Sequence, residues 1–328
     1  MREVHKSCVR GLGICIPEKV LTNFDLEKMV DTTDEWIRTR TGICTRYIAD
    51  KSQSASDLGV VAARQALQQA RLSPTDLDLI IVATATPDMI FPSTACGIQQ
   101  KLGANCGAFD MSAACSGFIY ALSMADAYVQ AGIYRNVLVV GAEIYSRFID
   151  WKDRSTCVLF GDGAGAAVVS RAEDGHGIIA TYLGSDGSKG DILSIPGGGS
   201  IHPATEETVK QGLHCVKMQG GELFKIAVRT MENAVREVLS RAALKVSDVK
   251  CLIPHQANLR ILTAVAERLE IPQERVFINV EKYGNTSSAS IAVALYDAVQ
   301  ANKIKKGDAV VLVAFGGGLT WGSALLKW

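Results

Sequence analysis

Three residues in this sequence combine reactive side chains with positions suited to catalysis. Cys115 lies among small residues just before a helical pattern, where unpaired backbone N–H groups and the helix dipole favour a nucleophilic thiolate. His255 lies between a predicted strand and a predicted helix, and the carboxyl ends of parallel strands are where open α/β sheets bind ligands. Asn285 precedes another predicted helix, so its amide either caps that helix or donates a hydrogen bond to a developing oxyanion. Together they predict covalent catalysis through the Cys115 thiol.

The order cysteine, histidine, asparagine also occurs in papain-like proteases, which makes a cysteine hydrolase the second interpretation. Cys115 and His255 are 140 residues apart, within the range of about 130–150 typical of that class. The Cys-Gly-x-Cys-Trp motif of the protease nucleophile is missing around Cys115, however, and the chain shows no secretory signal pattern.

Two glycine clusters accompany the predicted strands. Residues 160–165 depart from a dinucleotide-binding fingerprint, because the last glycine comes one residue early and a strand pattern follows, so a tight turn is expected there. Residues 315–322 follow a predicted strand and include three consecutive glycines. Such a segment allows close approach to a ligand and can expose N–H groups toward an oxyanion.

Short Val- and Ile-rich runs alternate with longer Ala-rich helical patterns, which is typical of an α/β protein with buried parallel strands. Predicted strands lie near residues 79–83, 108–111, 137–141, 157–169, 178–183, 251–254, 276–279 and 309–315. Predicted helices lie near residues 56–70, 93–102, 116–131, 222–243, 258–269 and 287–300. The irregular stretch at roughly 184–220 is expected to be a surface loop.

The predicted elements occur twice in the same order, which indicates two similar halves. Residues 72–81 align with 244–253 at an offset of 172, 129–131 with 299–301 at 170, and 137–140 with 310–313 at 173. At an offset of 170, Cys115 falls opposite Asn285. We therefore predict an N-terminal half over 1–173 that supplies the nucleophile and a C-terminal half over 174–328 that supplies His255 and Asn285.

The chain has 328 residues, 48% of them hydrophobic and 21% charged, which is enough for a large buried core. Lys plus Arg and Asp plus Glu number 34 each, so no global field attracts nucleic acid or an anionic membrane. Apolar runs fall well short of the ~18 residues that span a bilayer, and nine scattered cysteines indicate free thiols in a reducing compartment. We expect a cytoplasmic protein with neither membrane segment nor metal site.

Four motifs together resemble the β-ketoacyl-acyl-carrier-protein synthase III family, condensing enzymes of the thiolase superfamily that start bacterial type II fatty-acid synthesis. They are residues 113–118, 254–260, 283–287 and 315–323. The resemblance extends from residues 34–37 to the C-terminus. It implies an α/β, thiolase-like fold of five αβαβα layers built from two similar halves, and no cofactor apart from the CoA thioester substrate.

The resemblance also implies a two-step mechanism. Cys115 would attack an acyl-CoA thioester, and the backbone N–H groups of Cys115 and Gly317 would hold the oxyanion. After CoA leaves, malonyl-acyl-carrier-protein would enter, and His255 and Asn285 would stabilise the enolate formed when CO2 is lost. That carbanion would attack the acyl group on Cys115 and give a β-ketoacyl-acyl-carrier-protein.

Further residues are implied by the same resemblance to bind CoA. Trp36 and Arg154 would enclose the adenine by stacking and cation–π interactions. Arg40 would bind a CoA phosphate, and Asn258 the pantetheine arm.

Lys225 and Arg260 are implied to form a basic patch for the acidic carrier protein. A solvated helix face is the plain alternative for Lys225, and the family's patch continues where this chain has Glu267 beside Arg268. Phe91 resembles the residue that reaches across a homodimer to shape the acyl pocket of the other subunit.

Related condensing enzymes differ from this sequence within the motifs. Thiolases carry a second catalytic cysteine in the C-terminal glycine motif, which residues 315–318 lack, and elongating synthases have a second histidine where Asn285 stands. Specialised homologues that make quinolones, polyketides or olefins share the same three residues and remain an alternative. A catalytically silent partner subunit is a third interpretation, against which the presence of all three residues counts. The sequence does not predict the acyl chain of the primer.

Overall fold

The structure is a computed structural model that describes residues 6–172 and 176–328. Its strands are β1 (Ser7–Cys15), β2 (Lys19–Thr22), β3 (Thr45–Ile48), β4 (Leu79–Ala83), β5 (Gly107–Met111), β6 (Asn136–Glu143), β7 (Gly163–Arg171), β8 (Gly177–Ser185), β9 (Leu193–Ser194), β10 (Lys217–Met218), β11 (Cys251–Pro254), β12 (Ala309–Gly316) and β13 (Thr320–Lys327). Its α-helices are α1 (Asn23–Leu26), α2 (Asp34–Thr41), α3 (Ala55–Ala70), α4 (Thr94–Leu102), α5 (Gly117–Gln130), α6 (Arg154–Cys157), α7 (Glu206–Lys210), α8 (Gly220–Arg241), α9 (Leu259–Leu269), α10 (Val280–Tyr283) and α11 (Ser290–Gln300).

Two large sheets share one topology. The first has the order β1-β7-β6-β4-β5, in which β4 runs parallel to β5 and β6 while β7 runs antiparallel to both neighbours. The second has the order β8-β13-β12-β11, in which β11 and β12 are parallel and β13 is antiparallel to both neighbours. Over the described residues the second sheet therefore repeats the first, except that a single parallel bridge between Leu252 and Val276 stands where the edge strand β5 would be.

The elements stack in five layers. Along β4, Leu79, Ile81 and Ala83 pack toward α5 and α11, which lie between the sheets, while Ile80 and Val82 pack toward α3 and α4 on the outside. Helices α8 and α9 cover the outer face of the second sheet in the same way. Because helices cover both faces, the parallel strands are apolar throughout, as the sequence predicts. The order helix, sheet, helix, sheet, helix is the predicted αβαβα architecture.

A short 3₁₀ turn precedes each of the two central helices. We call residues Ala114–Ser116, before α5, the Cys115 turn, and residues Ser287–Ala289, before α11, the Ser287 turn. Each opens with a residue of left-handed backbone conformation, Ala114 at φ 45° and Ser287 at φ 48°. The two turns are 173 residues apart, so Cys115 matches Ser288. The predicted match of Cys115 with Asn285 is therefore wrong, because Asn285 lies before the second turn rather than within it.

The structure differs from the predicted elements at several places. Residues 276–279 make only a single bridge, between Leu252 and Val276, because a 3₁₀ turn at Gln273–Arg275 and helix α10 take up the flanking chain. The predicted strand at 157–169 divides into α6, a loop and β7. The strand β1, the hairpin β2–β3, helix α2 and the last strand β13 were all missing from the prediction.

The predicted junction of the halves at residues 173–174 lies outside the described residues, so the division of the chain remains a prediction. Over the ranges 6–172 and 176–328, no helix combines the length and the hydropathy needed to cross a bilayer.

Candidate active site

The Cys115 turn holds the candidate nucleophile in the interior. Cys115 is 4% exposed, and Ser116 anchors the turn by donating from Oγ to the Thr320 carbonyl oxygen at 3.0 Å. The turn packs directly on the end of β12, where a Cβ built on Gly316 would lie 2.7 Å from the Cys115 nitrogen. Only glycine at position 316 permits this approach, which presents the backbone N–H of Cys115 at the carboxyl end of β12.

Burial controls the state of the Cys115 thiol. It raises the pKa of Cys115 to about 12, and a hydrogen bond with the Ser287 hydroxyl only partly opposes the shift. The thiol is therefore protonated at neutral pH. The sequence predicts a thiolate stabilised by the helix N-terminus, and burial of the thiol works against that effect.

His255 follows β11 and is fixed on one side of its ring. Its backbone N–H donates to the Val313 carbonyl oxygen at 2.7 Å, and its Nδ1 lies 2.5 Å from Ser290 Oγ at the start of α11. Its Nε2 is buried and has no hydrogen-bond partner among the described residues. Burial lowers the pKa of His255 to about 3, so the imidazole is neutral at physiological pH. A neutral ring with one free nitrogen is ready to bind a reacting atom.

Asn285 is oriented by the Ser287 turn. The Ser287 backbone N–H donates to Asn285 Oδ1 at 2.8 Å, which leaves the amide nitrogen as the free donor. On the other side, the backbone of Asn285 pairs with the segment 159–161, donating to the Leu159 carbonyl oxygen at 2.9 Å and accepting from the Gly161 N–H at 3.0 Å. Gly284, at φ 66°, supplies the bend before it. The amide is thus held from two directions.

Two cavities meet at Cys115. The first lies between α8 and α9, and His255, Asn258 and Asn285 are polar residues on its mainly apolar wall. The second shares Cys115, Phe160 and Leu193 with the first, and its lining also includes Gly317. The structure therefore brings the three predicted catalytic residues to one cavity and the predicted oxyanion glycine to the adjoining one, with Cys115 lining both.

Trp36 and Arg154 meet at the surface. Trp36 lies on α2, which Thr33 caps by accepting the Trp36 N–H at 3.1 Å, and Arg154 opens α6. The Arg154 guanidinium lies 4.7 Å from the centroid of the Trp36 ring and donates to the Asp31 carbonyl oxygen at 2.7 Å. The two residues predicted to enclose an adenine are thus in direct cation–π contact.

Asn258 links this surface to the first cavity. It caps α9 by accepting the Arg260 N–H at 2.9 Å, and its amide nitrogen donates to the Arg40 carbonyl oxygen at 3.1 Å. The exposed side chain of Arg40 therefore lies at the end of α2 that joins α9.

The predicted carrier-protein residues share one face of the α8–α9 pair. Lys225 and Arg260 are exposed, and the Arg260 guanidinium lies 5.6 Å from the ring centroid of Phe224, the neighbour of Lys225. Further along, Arg268 and Arg236 both bind Glu232, so their charges are partly neutralised there.

Phe91 lies on a different part of the surface, outside helices α8 and α9. It is 83% exposed on the loop between β4 and α4, next to Ile90, which is equally exposed.

The sequence missed four polar residues beside the site, namely Glu143, Tyr145, Ser287 and Ser290. The two serines lie in a Thr-Ser-Ser-Ala-Ser run after Asn285, which reads equally well as a helix start. Glu143 is the last residue of β6 and follows the apolar run at 137–142. A single carboxyl at the end of such a run is a local sequence signal that could have marked Glu143 as a candidate site residue.

A buried thiol, a neutral imidazole and an oriented amide at the meeting point of two cavities can carry out covalent acyl transfer. The comparisons with known proteins point the same way. The family described as 3-oxoacyl-[acyl-carrier-protein (ACP)] synthase III matches residues 109–187, and its C-terminal counterpart matches residues 239–328.

Individual relatives match over almost the whole chain. The beta-ketoacyl-[acyl-carrier-protein] synthase III of Caldanaerobacter subterraneus subsp. tengcongensis is 59% identical, over 98% of this chain and 97% of that protein. The crystal structure of 3-oxoacyl-[acyl-carrier-protein] synthase III from Aquifex aeolicus is 52% identical with a TM-score of 0.91, over 98% of this chain and 100% of that one. The priming beta-ketosynthase of the R1128 polyketide pathway is 38% identical with a TM-score of 0.92, over 99% of this chain and 97% of that one. These structures confirm the predicted thiolase-like fold.

Proposed function

The chain belongs to the 3-oxoacyl-[acyl-carrier-protein] synthase III family, acyl-transferring condensing enzymes of fatty-acid biosynthesis, and on that premise we propose that it primes the pathway with an acyl group from acyl-CoA. The second substrate is malonyl-acyl-carrier-protein, and the products are a β-ketoacyl-acyl-carrier-protein, CoA and CO2. The observation that carries the proposal is the single cavity lined by Cys115, His255 and Asn285.

In the first step, Cys115 Sγ attacks the thioester carbon of acyl-CoA. Because the thiol is protonated at rest, its proton must leave as the bond forms. Neutral His255 is too weak a base to hold that proton as an imidazolium, so its free Nε2 relays the proton to the departing CoA sulfur in concert with the attack. The backbone N–H groups of Cys115 and Gly317 hold the oxyanion of the tetrahedral intermediate.

In the second step, the malonyl carboxylate leaves as CO2 and its bonding electrons pass into the thioester as an enolate. His255 Nε2–H and the Asn285 amide donate hydrogen bonds to the enolate oxygen. The Ser290 hydroxyl can donate to or accept from Nδ1, so it supports both tautomers of His255 that the two steps require. The carbanion then attacks the acyl carbon, and the Cys115 thiolate leaves and is reprotonated.

The remaining predicted residues complete the proposal. Trp36 and Arg154 take the CoA adenine between them, Arg40 binds a phosphate, and Asn258 contacts the pantetheine arm in the first cavity. Both groups offer flat faces for stacking, and they must move apart from their 4.7 Å contact to admit the adenine ring.

Lys225 and Arg260 bind the acidic carrier protein beside the same cavity. Their exposure on one face of α8 and α9 supports the docking role. Phe91 crosses a homodimer interface to the acyl pocket of the partner, in keeping with its high exposure. The enzyme works in the cytoplasm and needs no resident cofactor.

The test is incubation with acyl-CoA labelled in the acyl group, followed by addition of malonyl-acyl-carrier-protein. The label is expected on Cys115 and then in a β-ketoacyl-acyl-carrier-protein, with one CO2 released for each product. A Cys115→Ala protein that still became labelled would falsify the assignment. Turnover of peptide or simple ester substrates without malonyl thioester would instead support the cysteine hydrolase.

A second candidate is a specialised synthase that primes another pathway, because a priming ketosynthase of polyketide biosynthesis is similar over nearly the whole chain. A panel of primers from acetyl-CoA to branched and medium-chain acyl-CoA separates the two. A preference for short or branched primers with the carrier protein of fatty-acid synthesis supports the first candidate. Turnover only with unusual primers or another carrier supports the second.

A further inference from the structure

Glu143 is a buried carboxyl that the reaction steps above do not use. It is the last residue of β6 and is fully buried. On one side its oxygens contact the segment that follows β4: the Ala85 N–H at 3.1 Å, Thr86 Oγ1 at 2.7 Å and Thr84 Oγ1 at 3.3 Å. These three groups can all donate to the carboxyl, so the segment is tied to the end of β6.

On its other side Glu143 contacts the Ser287 turn. Oε1 lies 2.8 Å from Ser288 Oγ and 3.2 Å from Ser287 Oγ, and Ser288 Oγ lies 2.9 Å from the Ala83 carbonyl oxygen. The Ser288 hydroxyl donates to Glu143 and also reaches the Ala83 carbonyl oxygen, so its one hydrogen is shared between two acceptors. Burial raises the pKa of Glu143, and the hydrogen bonds from these donors oppose that shift.

Ser287 connects this carboxyl to the reacting groups. Its Oγ donates to Glu143 at 3.2 Å, its side chain is close enough to Cys115 to lower the pKa of that thiol, and its backbone N–H holds Asn285 Oδ1 at 2.8 Å. Its left-handed backbone conformation is uncommon for a residue other than glycine and persists only where the surroundings hold it. The hydroxyl of Tyr145, 3.4 Å away, is the other polar neighbour.

The repeat of the fold shows that this arrangement is specific to one half. Strands β6 and β12 are both eight residues long and 173 residues apart, so Glu143 matches Gly316. Each strand end packs on the turn of the other half: Gly316 on the Cys115 turn and Glu143 on the Ser287 turn. The Cys115 turn packs on a residue without a side chain, Gly316, whereas the Ser287 turn is hydrogen-bonded to the side chain of Glu143.

We propose that Glu143 is a positioning residue that acts through Ser287 to hold the Cys115 thiol and the Asn285 amide in their reactive arrangement. The catalytic roles of the Cys115 thiol and the Asn285 amide rest on the proposed function. The contact between Ser287 and the thiol is independent of that function, so it can be tested without any substrate.

The experiment compares Glu143→Gln with Glu143→Leu. Glutamine keeps a hydrogen-bonding atom at the position of each carboxyl oxygen, whereas leucine keeps only the volume. The controls are Asp126→Asn and Asp126→Leu, because Asp126 is another buried carboxyl, bonded to Ser7 at 2.7 Å and Gln130 at 2.8 Å, away from the site. Each protein is assayed for thermal unfolding, for kcat and KM in condensation, and for the rate of iodoacetamide modification at Cys115, read by peptide mass spectrometry.

We expect Glu143→Leu to lower the Cys115 modification rate at pH 8 about tenfold, the effect of one hydrogen bond to a charged group, and to lower kcat more than it raises the KM for acyl-CoA. Glu143→Gln should stay within about threefold of the parent in both. The Asp126 variants should change thermal unfolding only. Ser287→Ala should reproduce the leucine effect, and the double variant Glu143→Leu/Ser287→Ala should add little to either single change.

Three outcomes overturn the proposal. Glu143→Gln could be as impaired as Glu143→Leu, which would mean that the charge of Glu143 acts rather than its position. Cys115 could react at the parental rate in both Glu143→Leu and Ser287→Ala, or the Asp126 variants could match the loss. If Glu143→Leu does not fold, Glu143→Gln and Ser287→Ala still decide the matter.

Failure of the proposed function gives a different result. If no protein, including the parent, catalyses condensation, that result counts against the proposed function alone, because the rates of Cys115 modification remain measurable.

Discussion

The Cys115 turn and the Ser287 turn have the same backbone and opposite tasks. Both are single 3₁₀ turns that open on a left-handed residue and run into a central helix. The first carries the nucleophile and meets the bare backbone of Gly316. The second carries three serines in and next to it, and through them it contacts Glu143, Asn285 and His255.

The difference shows how a duplicated fold can divide the work of one site. A nucleophile needs space around it, so its turn is surrounded by small residues and two cavities. Groups that stabilise charge must be fixed in direction before the reaction, so their turn is dense in hydrogen bonds. Each turn packs on the strand end of the other half, and neither half therefore contains a complete site.

The largest effect should come from removing the nucleophile. Cys115→Ala leaves the Ser287 turn in place but removes the thiol that carries the acyl group in the proposed reaction. Condensation should fall by at least about 10⁴-fold, while thermal unfolding stays near the parental temperature. Product formation from labelled acyl-CoA measures this, and retention of more than a few per cent of the activity would show that the two turns do not divide the work as described.

The next effect should come from the groups that the Ser287 turn orients. Asn285→Ala and His255→Ala remove hydrogen-bond donors to the enolate, each of which is worth about 10²–10³ in rate. We expect decarboxylation of malonyl-acyl-carrier-protein to fall by that factor, and Asn285→Ala to keep acylation of Cys115. Parallel assays of labelled Cys115 and released CO2 separate the steps. Equal losses in both steps for Asn285→Ala would contradict the division.

His255 should also make the protein sensitive to acid. Its pKa is about 3 in the folded protein and 6.5 in a solvated chain, so below about pH 6.5 the unfolded chain takes up a proton that the folded chain excludes. The stability present above pH 6.5 is lost as the pH falls toward 3, by roughly 3 kcal/mol at pH 4. Urea unfolding of the parent and of His255→Asn at pH 7.5 and pH 4 measures the effect. The variant should lose less stability over this interval, and parallel losses would contradict the assignment.

The smallest effects should come from the glycines beneath the turns. A Cβ at Gly316 would lie 2.7 Å from the Cys115 nitrogen, and one at Gly141 would lie 2.5 Å from the Ser288 carbonyl oxygen. Gly316→Ala and Gly141→Ala should each destabilise the protein by about 1–3 kcal/mol through overpacking. Of the two, Gly316→Ala should lower the Cys115 modification rate more. Denaturant unfolding and iodoacetamide kinetics test the pair, and the reverse order of modification rates would show that the turns are coupled differently.

The sequence predicted the layers of the fold because its strongest signals are repeated and local. The apolar runs at 79–83 and 251–254 predicted the bounds of two strands, and the three residues that the resemblance implies as catalytic, Cys115, His255 and Asn285, line one cavity. The strand β13 was hidden because Trp321 and Gly322 belong to a glycine-rich motif that favours a loop interpretation.

Contacts between distant segments could not be predicted in the same way. Glu143 and Ser287 are 144 residues apart, and nothing in either segment indicates the other. The protonated state of Cys115 depends on burial by several elements at once, whereas the helix N-terminus that favours a thiolate is visible locally. The sequence therefore predicts which groups react, whereas their charge and direction depend on the packing.

The burial of Cys115 has a consequence for oxidative damage. Peroxide attacks the thiolate, and a thiol with a pKa of about 12 presents almost none of it at neutral pH. The same holds for Cys157 and Cys251, whose pKa values burial raises to about 11 and about 12. A buried thiol whose pKa is raised in this way is therefore expected to resist oxidation to the sulfenic acid.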